Sequence, residues 1–141
     1  MRIGTDLQLP FDMDRRLRQA LDSTFRKVAG AVNELADTTP IALTDAATVS
    51  VDAGTGNTFR VVLTGNRTLA NPTNLTDGQQ LFFRIKQDGT GSRTLAYGSM
   101  YKFPGGVAPT LSTGAGDMDI LSCQYDKTDN TLVCVFNADF S

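Results

Sequence analysis

A seven-residue phrase, Gly65-Asn66-Arg67-Thr68-Leu69-Ala70-Asn71, returns 26 residues later as Gly91-Ser92-Arg93-Thr94-Leu95-Ala96-Tyr97, with Gly, Arg, Thr, Leu and Ala kept. Each copy opens on a turn-forming pair and runs into residues of strand character. The first closes at Asn71-Pro72, where proline holds the preceding residue extended and then breaks the strand. A turn and strand used twice predicts two similar corners of one β-structure and does not read as a catalytic fingerprint. Two copies fall short of the three or so with which a solenoid buries a core. The predicted fold class is therefore mainly β: an N-terminal arm and α-helix with a short coiled-coil-like seam, then an antiparallel β-sandwich or barrel.

What the chain lacks narrows its chemistry. It has no His, which removes the commonest general base and the commonest metal ligand. Glu34 is its single Glu, and the two cysteines, without histidine, make no four-ligand zinc site. We expect a non-enzyme with no catalytic residue, no cofactor and no metal. A formal charge of −2 gives no global basic field for nucleic acid. No apolar run approaches the roughly 20 residues that span a bilayer, so a membrane partner is not expected either. The first residues lack the apolar segment of a secretory signal, which predicts a product that stays in the cytosol unless it leaves inside a particle.

Pro40 marks the one clear boundary, predicting residues 1–40 as arm and helix and residues 41–141 as the β-domain. Within the first part, Met1 to Phe11 has no periodicity and reads as an extended arm. Asp12 or Asp14 can cap a helix that runs to Ala36. Its apolar positions are Met13, Leu17, Leu21, Phe25, Val28, Val32 and Leu35, a heptad-like seam from Leu21 onward. Such a seam packs two or three helices together, or lays one helix on its own β-domain. Ala29, Ala31 and Ala36 flank it and permit close approach, which favours self-association. Arg15, Arg16 and Arg18 oppose the helix macrodipole at its start. They offer docking charges for an acidic groove on another protein, or make a solvated helix end.

The β-part is read strand by strand. Ile41–Thr44 and Thr48–Val51 are short strands, and Thr58–Thr64 follows a Gly54/Gly56 turn. Gln80–Gln87 is the clearest central strand: Leu81, Phe83 and Ile85 share one face, while Phe82, Arg84 and Lys86 share the other. The glycine clusters are turns, because no helix follows any of them as a phosphate cradle requires. Near the C-terminus, Asp117–Tyr125 and Thr131–Asn137 both alternate about an Asp126–Asn130 turn. If Asp126 pairs with Thr131, then Tyr125 faces Leu132, Cys123 faces Cys134, and Leu121 faces Phe136. A cross-strand disulfide is open to that geometry, but cytosolic synthesis predicts two reduced thiols. Asp117 and Asp119, two apart on a strand, share a face and offer at most a weak surface cation site.

The run from Asn66-Arg67-Thr68-Leu69-Ala70-Asn71-Pro72, through Gly78 and Ile85-Lys86-Gln87-Asp88, to Gly91-Ser92-Arg93-Thr94-Leu95 resembles a β-module of tailed-bacteriophage virions. The likeness continues through Tyr101-Lys102-Phe103-Pro104-Gly105-Gly106, Ala108-Pro109-Thr110-Leu111-Ser112 and Asp119-Ile120-Leu121. It resembles the β-module of phage tail fibres and related virion appendages, which are commonly trimeric. The resemblance implies a virion structural protein, assembled in the host cytoplasm. It would be a homo-oligomer, a trimer, bound to other virion proteins of tail, neck or capsid. A tail, neck or baseplate appendage is one reading and a head fibre or capsid decoration protein another. A third is a host-surface glycan-binding module in which Tyr97, Tyr101 and Phe103 form the sugar platform, provided that two of the rings face solvent.

Overall fold

The computed structural model describes residues 39–141. The expected arm and helix lie outside the described residues, and with them the seam of Leu17, Leu21, Phe25, Val28, Val32 and Leu35 and the charges Arg15, Arg16 and Arg18. The described part is mainly β: β1 (Ile41–Ala42), β2 (Thr48–Val49), β3 (Thr58–Leu63), β4 (Arg67–Leu69), β5 (Gln80–Gln87), β6 (Leu95–Tyr97), β7 (Tyr101–Lys102), β8 (Met118–Asp126) and β9 (Thr131–Asn137). A 3-10 turn at Pro104–Gly106 is the one helical element among the described residues.

These strands make two sheets. The larger has the order β1-β3-β5-β8-β9-β7 and the smaller β2-β4-β6. Successive strands of the first half alternate between the sheets, and each meets its predecessor in parallel: Ile41 beside Phe59, Phe59 beside Phe83, Thr48 beside Thr68, Thr68 beside Ala96. The chain thus winds through three coils of a short two-sided solenoid. A parallel pair needs a crossover of a dozen or more residues, and here the strand in the opposite sheet supplies it.

Two expectations are corrected by this arrangement. The sheets are not antiparallel: the smaller is wholly parallel and the larger is mixed, with antiparallel pairing only along β5-β8-β9. The turn signals at 54–56 and 65–66 carry the chain across to the other sheet, whereas among the described residues the 127–130 turn returns it as a hairpin. A solenoid is also present, although the sequence phrase occurs only twice, because the first coil (β1 and β2) carries no copy of it.

Alternation explains why these segments become strands. Phe59, Val61 and Leu63 of β3, Leu81, Phe83 and Ile85 of β5, and Leu121, Cys123 and Tyr125 of β8 are all buried on the inner face. Val49, Leu69 and Leu95 of the small sheet close over them. Phe59 and Phe83, neighbours in the ladder, stack with centroids 5.4 Å apart. The β8–β9 register is the one derived from the sequence, with Asp126 at Thr131 and Cys123 at Cys134. The two cysteine Cα atoms lie 4.1 Å apart and the sulfurs are joined in a disulfide. Free thiols were the expectation; direct opposition in the ladder is what brings the sulfurs together.

The repeat has a different geometry from the one its sequence implies. Leu95 follows Leu69 in the sequence phrase, yet Tyr97 stands beside Leu69 in the ladder. Ladder and phrase are therefore out of step by two residues, and a two-residue slip keeps every side chain on its original face. Both leucines accordingly stay buried. The turn pairs differ too: Gly91 and Ser92 have φ of 75° and 60°, while Gly65 and Asn66 are not in the left-handed region.

Candidate functional site

Both arginines of the phrase serve as pins. Arg67 Nε donates to Asp45 Oδ1 at 2.7 Å, and Asp45 also accepts from the Thr64 hydroxyl. The neighbouring guanidinium holds the Asp45 carboxyl down at about 2. Arg93 Nη2 donates to Asp88 Oδ2 at 2.9 Å, and Asp88 Oδ1 takes the N–H groups of Thr90 and Gly91. Arg93 is the main reason that Asp88, too, is lowered to about 2. The corners are thus fixed by bidentate charge-assisted bonds, using a partner from the preceding coil in one case and from the same turn in the other.

Two polar side chains sit in the interior, each fully used. Gln87 Nε2 donates to the carbonyls of Arg93 and Ser112, both at 2.9 Å, while its Oε1 accepts the Arg93 N–H. Asp119 accepts the Ser112 N–H and hydroxyl and the Asp139 N–H. The strandless segment between β7 and β8 is therefore tied down by side chains, which sheet ladders would otherwise do. The surface cation site considered for Asp117 and Asp119 does not form. Asp119 faces inward, and Asp117 accepts the Gly114 N–H at 2.8 Å. No group of three or more His, Cys, Asp or Glu side chains able to hold a metal occurs among the described residues.

Tyr97, Tyr101 and Phe103 do come together. They line an open cleft of about 480 Å³ beside β6 and β7, with Ser99, Lys102 and Ala108 on its rim. The Tyr97 ring meets Phe103 edge-on at 4.8 Å and Tyr101 at 5.7 Å. Tyr101 is buried, its hydroxyl donating to the Ala70 carbonyl at 2.9 Å. Tyr97 and Phe103 are half-buried against the core. Burial raises both tyrosine hydroxyls well above the ordinary phenol range, with the Asp119 carboxylate adding to the effect at Tyr97. The Tyr97 hydroxyl is itself buried without a hydrogen-bond partner among the described residues. The three rings therefore form an inward-leaning cluster with one flank on the cleft, rather than a flat platform.

Sequence reasoning passed over a second surface. The outer face of the large sheet exposes Phe82, Val133 and Val135 around a groove of about 200 Å³ bordered by Gln80, Ser122 and Gln124. Alternation alone places these side chains outward; their concentration appears only once β5 and β9 are set on either side of β8.

A two-sided β-coil closed by a hairpin, with Arg67, Arg93, Gln87 and Asp119 spent on bracing, defines a β-rich module. The chain belongs to the family described as "Putative phage tail fibre C-terminal domain", whose model matches residues 48–130, well over half of the 141-residue chain. That match runs from the first residue of β2 to the turn after β8. No curated protein matches the chain. No solved structure matches it either.

Proposed function

We propose that this chain is a non-enzymatic structural component of a tailed-phage virion, a trimeric tail or neck fibre or appendage protein. Residues 1–40 attach it and hold three copies together, while the β-domain of residues 41–141 projects. The observation that carries this reading is the family match across β2 to β8. Burial of the Leu17–Leu35 seam between copies would give three projecting domains one attachment point, adding avidity without new contact types. A head fibre or capsid decoration protein uses the same parts on a different neighbour.

The test is the solution mass of the full chain against a chain starting at Thr39. A trimer that becomes a monomer on truncation assigns residues 1–38 to assembly. Trimers from both assign assembly to the β-domain. Monomers from both sink the self-trimer.

A second reading, recognition of a host-surface glycan, would use the flank of the cleft formed by the half-buried Tyr97 and Phe103 rings, since Tyr101 is buried. That flank lies beside the Ser99 and Lys102 polar groups, the mixture that a sugar ring requires. Phe103→Ala removes the half-buried ring. It should abolish binding to a glycan array while leaving the fold intact, and an array that is blank for the wild type removes this reading.

A further inference from the structure

Register places the outward side chains of the large sheet in rows. One row reads Val62, Lys86, Met118; the next Arg60, Arg84, Ile120, Asn137; the next Thr58, Phe82, Ser122, Val135; and then Gln80, Gln124, Val133, Lys102. Asp126 and Thr131 end the series, with Asp129 in the turn just beyond. Four of the six large hydrophobic side chains exposed among the described residues, Val62, Phe82, Val133 and Val135, fall on this one face. Valines 54–59% exposed and set two apart on a strand are an interaction patch, not scattered surface.

The charges on the face are unbalanced at each end. Arg60 and Arg84 are direct ladder neighbours, and Lys86 follows on the same side. Like charges set directly opposite each other in a sheet repel. None of the three forms a salt bridge with a described residue, unlike Arg67 and Arg93. No outward position of β3, β5 or β8 near them holds a carboxylate. At the other end Asp126, Asp129 and Asp77 outnumber the exposed Lys127 of the same turn, whose N–H Asp77 accepts at 3.0 Å. Phe82 and Val135 lie between the two ends. An apolar centre with arginine beside it is the composition of a protein interface, and it lacks the uniform charge of a polyanion track.

We infer that this face is buried against a second copy of the same chain, the acidic 126–129 end of one copy lying on the Arg60, Arg84 and Lys86 rows of the next. The complementarity is internal to the chain, which is why the occupant is another copy. The inference rests on the reading of the protein as self-associating and locates one of its contacts in the β-domain.

Zero-length carbodiimide cross-linking of the full chain tests it, with isotopically heavy and light chains mixed before reaction. Lys86 lies beside Met118, at the far end of nine-residue β8 from Asp126, roughly 27 Å away. A Lys86 amide to Asp126 or Asp129 therefore cannot form within one chain's sheet. The expected result is a heavy–light Lys86–Asp126 or Lys86–Asp129 link, reduced at least tenfold in R60E/R84E and in D129K. The Asp129 carboxylate holds no group among the described residues, so D129K leaves the turn intact. An oligomer by mass that yields no such link overturns this inference and leaves the attachment reading standing. A link from Lys86 to an acidic residue of 1–38 in the same chain overturns it in favour of an intramolecular cover. A monomer by mass removes both. Loss of retention on a polyanion resin in R60E/R84E, with the link absent, reassigns the strip to an anionic ligand.

Discussion

Asp45 and Asp88 bear more of the fold than their half-buried positions indicate. Each carboxylate collects an arginine and one or more N–H or hydroxyl donors at a corner where the chain changes sheets. Asp45 has its pKa lowered from 3.8 to about 2 in the folded chain. The unfolded chain therefore takes up a proton first as pH falls, so the stabilisation is complete above about pH 4 and is lost between there and about pH 2. D45N should lower the melting temperature by a few degrees at pH 7, and the deficit should close over that acid window. A deficit that stays constant down to pH 2 would rule out the ion pair as its cause. Gly91 makes a different demand. Its φ is 75°, and a Cβ there would meet the Thr113 carbonyl oxygen at 2.5 Å and the Ala115 nitrogen at 2.9 Å. G91A should destabilise by about 2 kcal/mol or more, since it combines left-handed strain with a backbone clash. Denaturant titration measures this, and a change under 0.5 kcal/mol, about the scale of a neutral surface substitution, would contradict it.

At the level of elements, the segment between β7 and β8 has no ladder and depends on Gln87 and Asp119. Q87L keeps the volume but strands the Arg93 N–H and two carbonyls inside the protein, at a cost of about 3 kcal/mol. Amide exchange should quicken at Arg93 and around Ser112 before it does in β8; uniform quickening would mean that the amide braces the whole sheet. The β8–β9 register was legible in the sequence once Asp126 was set opposite Thr131: alternation fixes the faces, and the short 127–130 turn selects among the two-residue slips that would keep them. The parallel coils were not. Ile41-Ala42 and Thr48-Val49 pair over two residues each, too short for any period to show, and a corner between sheets has the same Gly-Asn signature as a hairpin. Gln87 and Asp119 were hidden for a related reason: alternation points them inward, but only the fold supplies the partners that make burial tolerable. The inward lean of the aromatic trio follows from Tyr101 lying beside Leu132 over the core.

The described β-domain is built from a firm centre to thin edges. β5 and β8, eight and nine residues long, lie in the middle of the large sheet, with β3 and β9 beside them. The sheet ends in β1 and β7, each of two residues. Short edge strands limit pairing with foreign chains, and they also make the margins the cheapest parts to open. Phe59 and Phe83 lie on the inner strands β3 and β5, so the two-residue edge strand β1 can open without unseating them. Amides of β5 and β8 should therefore exchange only by global unfolding, while Leu43, whose N–H donates to Arg60, and Ala70, whose N–H donates to Val49, exchange through local opening many-fold faster. Exchange measured against denaturant separates the two cases, since global openers follow the full denaturant slope and local openers are nearly flat. If Leu43 follows the full slope in the intact chain, the first coil is clamped from outside the described residues. Repeating the measurement on a chain starting at Thr39 then shows whether residues 1–38 are the clamp: Leu43 should revert to a flat response when they are removed, and an unchanged slope would place the clamp in another copy.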